Sequence, residues 1–328
     1  MAVLLPERSN PTEPPAAKSV RIPSVKRPEQ VPHFSYSQLS MFLRCSMQYY
    51  FRYVLKLKER PNLPMTNGKA AHKALEMNAR AKIASGADLS LEQILDTYSA
   101  DYDKMVADLE AADLKGANPA HTKDGTVQTL TIFRAKEAPL VTPKAVELPF
   151  LIPLPATEDF QEETLPVLGF IDQIASRPRV MQPGAQPIIR TSVDNHKFRN
   201  RMPSNLQEAI DLSDQHTIYD LVLTRAGVPT DDLTLQTFVP PTKTIGARII
   251  RAYRSPKLMT PAMRASRIER ALYKLRQVAR LIKLGAWLPQ DNPQTCAWCG
   301  FRDRCQYSLV KSDYDAMQIR SKTGAPPQ

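Results

Sequence analysis

The sequence predicts an α/β protein, with a mixed β-sheet core flanked by helices and further helical parts at both ends. Three observations predict it. Apolar residues recur at helical spacing up to about residue 138, whereas 144–152, 166–176, 187–196 and 233–239 read as strands. A turn-rich segment joins the second strand to the third, and a helix separates the third from the fourth, an order that gives a mixed sheet with helical flanks. Finally, one cysteine near the start and three near the end could tie the two helical parts together.

The chain has 328 residues, of which 42% are hydrophobic, enough for a sizeable core in one large domain or two small ones. This composition excludes collagen and wholesale disorder. No apolar run reaches about 18 residues, so a membrane span is not expected. The N-terminus lacks a basic segment followed by an apolar one, so no secretory signal is expected and a cytoplasmic location is. Four cysteines in such a chain argue for metal ligation or isolated thiols rather than a disulfide framework.

Residues 1–32 hold seven prolines and few large apolar side chains, which predicts a disordered arm. A folded domain is expected over 33–311 and a flexible tail over 312–328. Ser35-Tyr36-Ser37-Gln38 fits a capping box, and the aromatic residues after it follow at helical spacing with Cys45 inside the helix. A second helix is expected from about Thr66 through His72 to Ile83, and others over 90–112 and 125–138 with a polar break at Gly116 and Pro119. After the three strands, Ser213 is placed to cap a helix reaching Arg225 and stopped by Gly227. A long basic helical region follows the strand at 233–239.

The net charge is +11 and the isoelectric point about 9.5. Residues 243–283 contain twelve Lys or Arg and one acid, Glu269, which accounts for the whole excess. Such a stretch suits phosphate neutralisation, although a solvated helix face is the plainer alternative. Charge alone does not separate a nucleic acid from an acidic protein partner.

Cys296, Cys299 and Cys305 lie within ten residues beside Gly300, and Cys45 completes a set of four. Soft thiolates suit zinc or an iron–sulfur cluster, and the short spacing does not choose between them. Either would contribute folding energy rather than chemistry. Asp172 lies in one strand and Asp194 in the next, with Lys197 just after. Carboxylates on adjacent strands can hold hard cations such as Mg²⁺ through oxygen, and a lysine can orient a water and stabilise developing negative charge. Acids at strand ends are common, so this pair alone is a weak signal.

In the order of its features the chain resembles the PD-(D/E)XK nuclease superfamily, in the RecB-like branch that carries an iron–sulfur cluster and includes the AddB nuclease domain and the CRISPR-associated RecB-like exonucleases. FSYSQLSMFLRCSMQYYFRYV is similar to that branch's opening helix, and NGKAAHKALE to its Gly-X3-His motif, through Gly68 and His72. Glu147 in AVELPF, Asp172 in GFIDQI, Gln215 and Tyr219 in DQHTIYDL, and CAWCGFRDRC continue the match over roughly residues 34–308. The resemblance implies a restriction-endonuclease-like fold. It implies that His72, Asp172 and Asp194 ligate Mg²⁺ or Mn²⁺, that Lys197 is the catalytic lysine, and that Gln215 and Tyr219 position the strand or the attacking water. It also implies that Cys45, Cys296, Cys299 and Cys305 bind a 4Fe–4S cluster.

One departure matters. The usual signature places acid and lysine at i, i+2, on one side of a strand, whereas Asp194 and Lys197 are at i, i+3. A β-bulge at Asn195–His196 would restore both to the site; alternatively Asn195 takes the acid's place with a neutral oxygen. The bulge is preferred, because Asp194 ends an apolar strand. The expected function is a metal-dependent DNA nuclease, an exonuclease on single-stranded or end-exposed DNA, working in recombination, repair or phage DNA processing alongside a partner from those systems. The alternatives are a catalytically impaired DNA-binding or assembly protein on the same fold, and a structural zinc protein.

Overall fold

The helix boundaries follow from side chains that satisfy exposed backbone N–H groups. In the computed structural model, which describes residues 3–4, 33–59, 61–114, 116–154, 157, 164–199, 202, 204–302 and 304–309, Ser35 and Gln38 form the expected capping box at the start of α1 (Tyr36–Arg44). The helix does not run through Cys45. That residue is extended, with φ −168° and ψ 112°, and separates α1 from α2 (Ser46–Tyr49) and a π-turn over Tyr50–Val54. Asn62 caps α3 (Leu63–Ser85), which has Pro64 in its first turn and ends at Gly86 with φ +77°, a conformation glycine adopts without steric cost.

The expected helix over 90–112 is two shorter ones, α4 (Leu91–Ala107) and α5 (Ala111–Leu114). The one expected over 125–138 starts earlier, as α6 (Pro119–Ile132), because Asn118 caps it and Pro119 fits its first turn. Of the expected disordered arm, Val3 and Leu4 form a short strand, β1 (Val3–Leu4); the rest of it to residue 32, and residues 310–328 of the tail region, lie outside the described residues.

The sheet is built from β2 (Phe34–Ser35), β3 (Thr142–Leu154), β4 (Thr164–Arg179), β5 (Ile188–Phe198), β6 (Asp232–Val239) and β7 (Arg248–Arg254), in the order β1-β3-β4-β5-β6-β7 with β2 beside β4. The β3–β4, β4–β5 and β6–β7 pairs are antiparallel, while β5–β6 and β2–β4 are parallel. A parallel neighbour requires a crossover, and α7 (Leu206–Asp211) and α8 (Asp214–Arg225) supply it. Ser213 caps α8 as expected, and Gly227 follows its end with φ +69°.

The basic region is not helical throughout. Its first part is β7, whose Arg251 pairs with Glu137 and whose buried Arg254 donates to the Ile210 carbonyl. Only then comes α9 (Pro261–Lys283), followed by the short α10 (Pro293–Ala297).

Two large apolar clusters and a small one around Ile210, Leu235 and Ala252 fill the structure. One large cluster gathers α1, α8, α9 and sheet residues such as Phe150, Ile171 and Val193; the second gathers α3, α4 and α6 with Phe238. Phe150 lies over Gly169 on the neighbouring strand, where an added Cβ would come within 2.2 Å of its ring. Tyr49 stacks on Trp287, and Ser46 both donates to the Leu288 carbonyl and accepts from its N–H, so the two ends of the described chain meet.

Candidate active site

The site forms where two strands part. The β4–β5 ladder runs regularly from Arg179↔Ile188 to Gln173↔Asp194 and stops, while β5 continues along β6 to Phe198. Neither ladder contains the bulge expected at Asn195–His196. The register carries Asp172 to a position across from Asn195 on one side and from Glu147 on the other. Asp172 fills the fork: its Oδ2 accepts the His196 backbone N–H at 2.9 Å.

From α3, His72 reaches the same place. Ligand atoms of His72, Asp172 and His196 all lie within 4.8 Å of one another, and the two imidazole rings are 6.2 Å apart. Burial lowers the His72 pKa, with Lys197 acting the same way and Asp172 opposing. His196 is pushed down to about 3, again chiefly by burial. Both rings are therefore neutral at pH 7, the form that ligates metal. Lys197 also belongs here: burial holds its ammonium below its ordinary value, and the Asp172 carboxylate opposes that shift.

Asp194 does not belong here. Fully buried, it pairs with Arg177 and accepts from Ser192 Oγ at 2.6 Å. Because the strand is regular, Asn195 and Lys197 share one side of β5, so Asn195 and not Asp194 stands at the i, i+2 position before the lysine. The cause of the misplacement is local: Asp194 ends an apolar strand, but the burial it predicts is satisfied by an arginine sequence spacing does not reveal.

Gln215 and Tyr219 lie one turn apart on α8, and Gln215 Nε2 donates to Tyr219 Oη at 2.7 Å. Tyr219 in turn donates to the Phe170 carbonyl at 2.8 Å, two residues before Asp172. Being 2% exposed, Tyr219 holds the strand rather than touching a substrate.

Two residues of the site were not anticipated in these roles. The sequence gives His196 only a place in the expected bulge. Glu147 was noted only as an acid in the first strand; it has φ +48°, a left-handed conformation that costs a non-glycine residue about 1–2 kcal/mol. Its pKa is pushed up to about 7, chiefly by burial and then by Asp172 and Glu76. Glu147 and His72 line an open cleft of about 470 Å³ together with Lys69, Lys73 and Gly68.

Among the described residues, six of the twelve buried side-chain polar atoms without a hydrogen-bond partner belong to Asn195, His196, Gln236 and Thr237. Leaving such a group unpaired costs about 1–3 kcal/mol, and these atoms are concentrated on β5 and β6 where the β4–β5 ladder has ended, which suits a bound group nearby. With two neutral imidazoles and a carboxylate converging, the residues fit a divalent cation.

The cysteines form a separate locality. The thiols of Cys45, Cys299 and Cys305 act on one another electrostatically, and Cys296 acts on Cys305. Burial is the largest cause raising the Cys299 and Cys305 thiols. Cys45 is brought to this end of the chain at the break between α1 and α2.

The basic helix is less available than its composition suggested. Arg264 pairs with Asp220, Lys274 with Asp214, and Arg267 donates to the Asp211 carbonyl.

A mixed sheet forked around an aspartate, with a lysine on the neighbouring strand and a histidine delivered from a helix, is an arrangement suited to metal-assisted hydrolysis. The sequence profile of the PD-(D/E)XK nuclease superfamily matches residues 33–306, and the chain belongs to that superfamily. Membership implies a nuclease with nucleic acid as substrate. No individually curated protein matches the chain. Among the described residues, no helix is long and apolar enough to cross a membrane.

Proposed function

We propose that the protein is a Mg²⁺- or Mn²⁺-dependent deoxyribonuclease acting as an exonuclease on single-stranded or end-exposed DNA. The observation that carries the metal-dependent reading is the convergence of His72, Asp172 and His196 beside Lys197 at an open cleft. The exonuclease preference rests on resemblance to the RecB-like branch. His72 and Asp172 would hold the cation, with Asn195 or His196 completing the protein's share. When bound, a divalent ion activates a water and polarises the phosphodiester. Lys197 Nζ, held partly out of water, is placed to hold the attacking water and to stabilise charge on a phosphate oxygen. Tyr219 and Gln215 fix the β4 backbone that aims Asp172. Lys69 and Lys73 on the cleft wall meet the phosphate backbone.

The reading of the four cysteines as a 4Fe–4S site rather than zinc rests on the resemblance to the RecB-like branch, and the mutual electrostatic influence of the thiols, which shows all four sharing one locality, supports a common ligand group. The protein's place would be recombination, repair or phage DNA processing, with a protein of those systems as partner.

The test is digestion of end-labelled linear DNA against circular DNA with Mn²⁺ or Mg²⁺, using anaerobically purified protein. Cleavage confined to linear DNA, abolished by Lys197→Ala, is expected; no cleavage with metal and cluster loaded would overturn the enzyme reading.

Asn195 in the acid's place supports a second reading, a DNA-binding or assembly protein with impaired catalysis. Asn195→Asp restores the missing carboxylate. A rise of a hundredfold or more in cleavage would favour this second reading; a change of less than about tenfold would favour an active wild-type site.

A further inference from the structure

Asn195 leaves the site one negative charge short, yet the residue after it brings a donor no spacing rule requires. His196 is 5% exposed, its Nε2 has no hydrogen-bond partner, and its ring faces His72 across 6.2 Å. A buried imidazole in a structural role normally has both nitrogens satisfied. Its ring also contacts Phe238 edge-on, which fixes its plane, and its main-chain N–H is tied to Asp172. The residue is therefore held at two points with one nitrogen left facing the Asp172 carboxylate.

The geometry points to His196 as a ligand of the cation, standing in for the carboxylate Asn195 does not supply, so that the donor set of two imidazoles and one carboxylate selects Mn²⁺ and similar transition ions over Mg²⁺. This rests on the reading of the cleft as a cation site. Mg²⁺ is a hard ion that favours oxygen ligands and gives up its waters reluctantly. Mn²⁺ shares the taste for oxygen but, as a first-row transition ion, accepts imidazole nitrogen more readily than Mg²⁺ does, and two histidines with one carboxylate leave coordination positions open for water and substrate. With an acid at 195 the oxygen donors would hold Mg²⁺; with an amide there and a ring at 196 that preference reverses.

The experiment uses the full chain, freed of divalent ions, with Mn²⁺ as the probe. Pulsed electron paramagnetic resonance on protein labelled with ¹⁵N-histidine counts the imidazole nitrogens bound to Mn²⁺, and it needs no substitution at a buried position. Two nitrogens are expected, with Mg²⁺ displacing Mn²⁺ only at about hundredfold excess or more. Asn195→Asp should narrow that ratio at least tenfold by strengthening Mg²⁺. One nitrogen, no bound Mn²⁺, or displacement by Mg²⁺ at comparable concentration would each overturn the assignment. The two readings fail separately. A two-nitrogen signal without DNA cleavage removes the nuclease and keeps the ligand set, whereas cleavage with one nitrogen does the opposite.

Discussion

Asp172 and Asp194 sit on neighbouring strands, one place apart in register, and have opposite surroundings. Asp194 is sealed beneath α3 with Arg177, and the void beside Arg177 and Gln173 holds about 10 Å³, room for at most one water. Asp172 stands at the end of the same ladder, where the strands part and His72 and Glu147 open on a cleft of about 470 Å³. A carboxylate with a buried guanidinium is already neutralised and has little left to offer an ion. One with a backbone N–H on a single oxygen keeps the other free for a ligand. The difference teaches that a strand acid's task is set by which side of the ladder it faces and what meets it there, more than by its distance in sequence from a lysine.

The sharpest way to break this comparison is Arg177→Ala. It strands the Asp194 charge in the interior and should cost about 3–5 kcal/mol of stability, read by chemical denaturation, while Mn²⁺ affinity measured below the transition stays unchanged. Loss of Mn²⁺ binding in the folded variant would place Asp194 back in the site. Lys197→Met should leave stability near wild type and lower cleavage about 10²–10³-fold, or roughly 3–4 kcal/mol in the barrier.

Next comes Glu147, whose folded pKa of about 7 lies above its ordinary 4.5. A raised carboxylate pKa means that the folded state holds its proton longer. The stabilisation is then complete below pH 4.5 and is lost as pH rises to about 7. Metal-free Glu147→Gln should therefore exceed wild type by about 1–2 kcal/mol at pH 8, after discount for its partial exposure, and match it near pH 4. Thermal denaturation at both pH values checks the sign. The smallest effect is expected from Gly68→Ala: beyond its own stretch of helix backbone nothing lies within 4 Å of the added Cβ, so helix propensity should raise stability by about 0.5–1 kcal/mol. Weaker DNA binding in the same variant would show that the open position serves substrate approach.

Much of the fold was legible because its signals are local. Ser35 and Ser213 cap helices through their own hydroxyls, and the turn-rich segment after Arg177 closes a hairpin. Asp172 was legible for the same reason, as an acid at a strand position with a family pattern around it. What was hidden depends on distant partners. The arginines of β7 look like a solvated helix face until Arg251 meets Glu137 and Arg254 meets the Ile210 carbonyl. The fate of Asp194 was hidden in Arg177, seventeen residues earlier in the chain. The break at Cys45 carries no turn former, and nothing in its neighbourhood announces it.

The bond pair between Ser46 and Leu288 closes a span of 242 residues. Closing so long a loop takes entropy that only a largely formed protein can offset, so this junction should be among the last to assemble. During synthesis the residues of the forked sheet emerge well before Leu288 can return to α2. The cysteines that follow Leu288 emerge later still. The forked sheet is therefore expected to take shape before α2 and the segment around Leu288 are latched together.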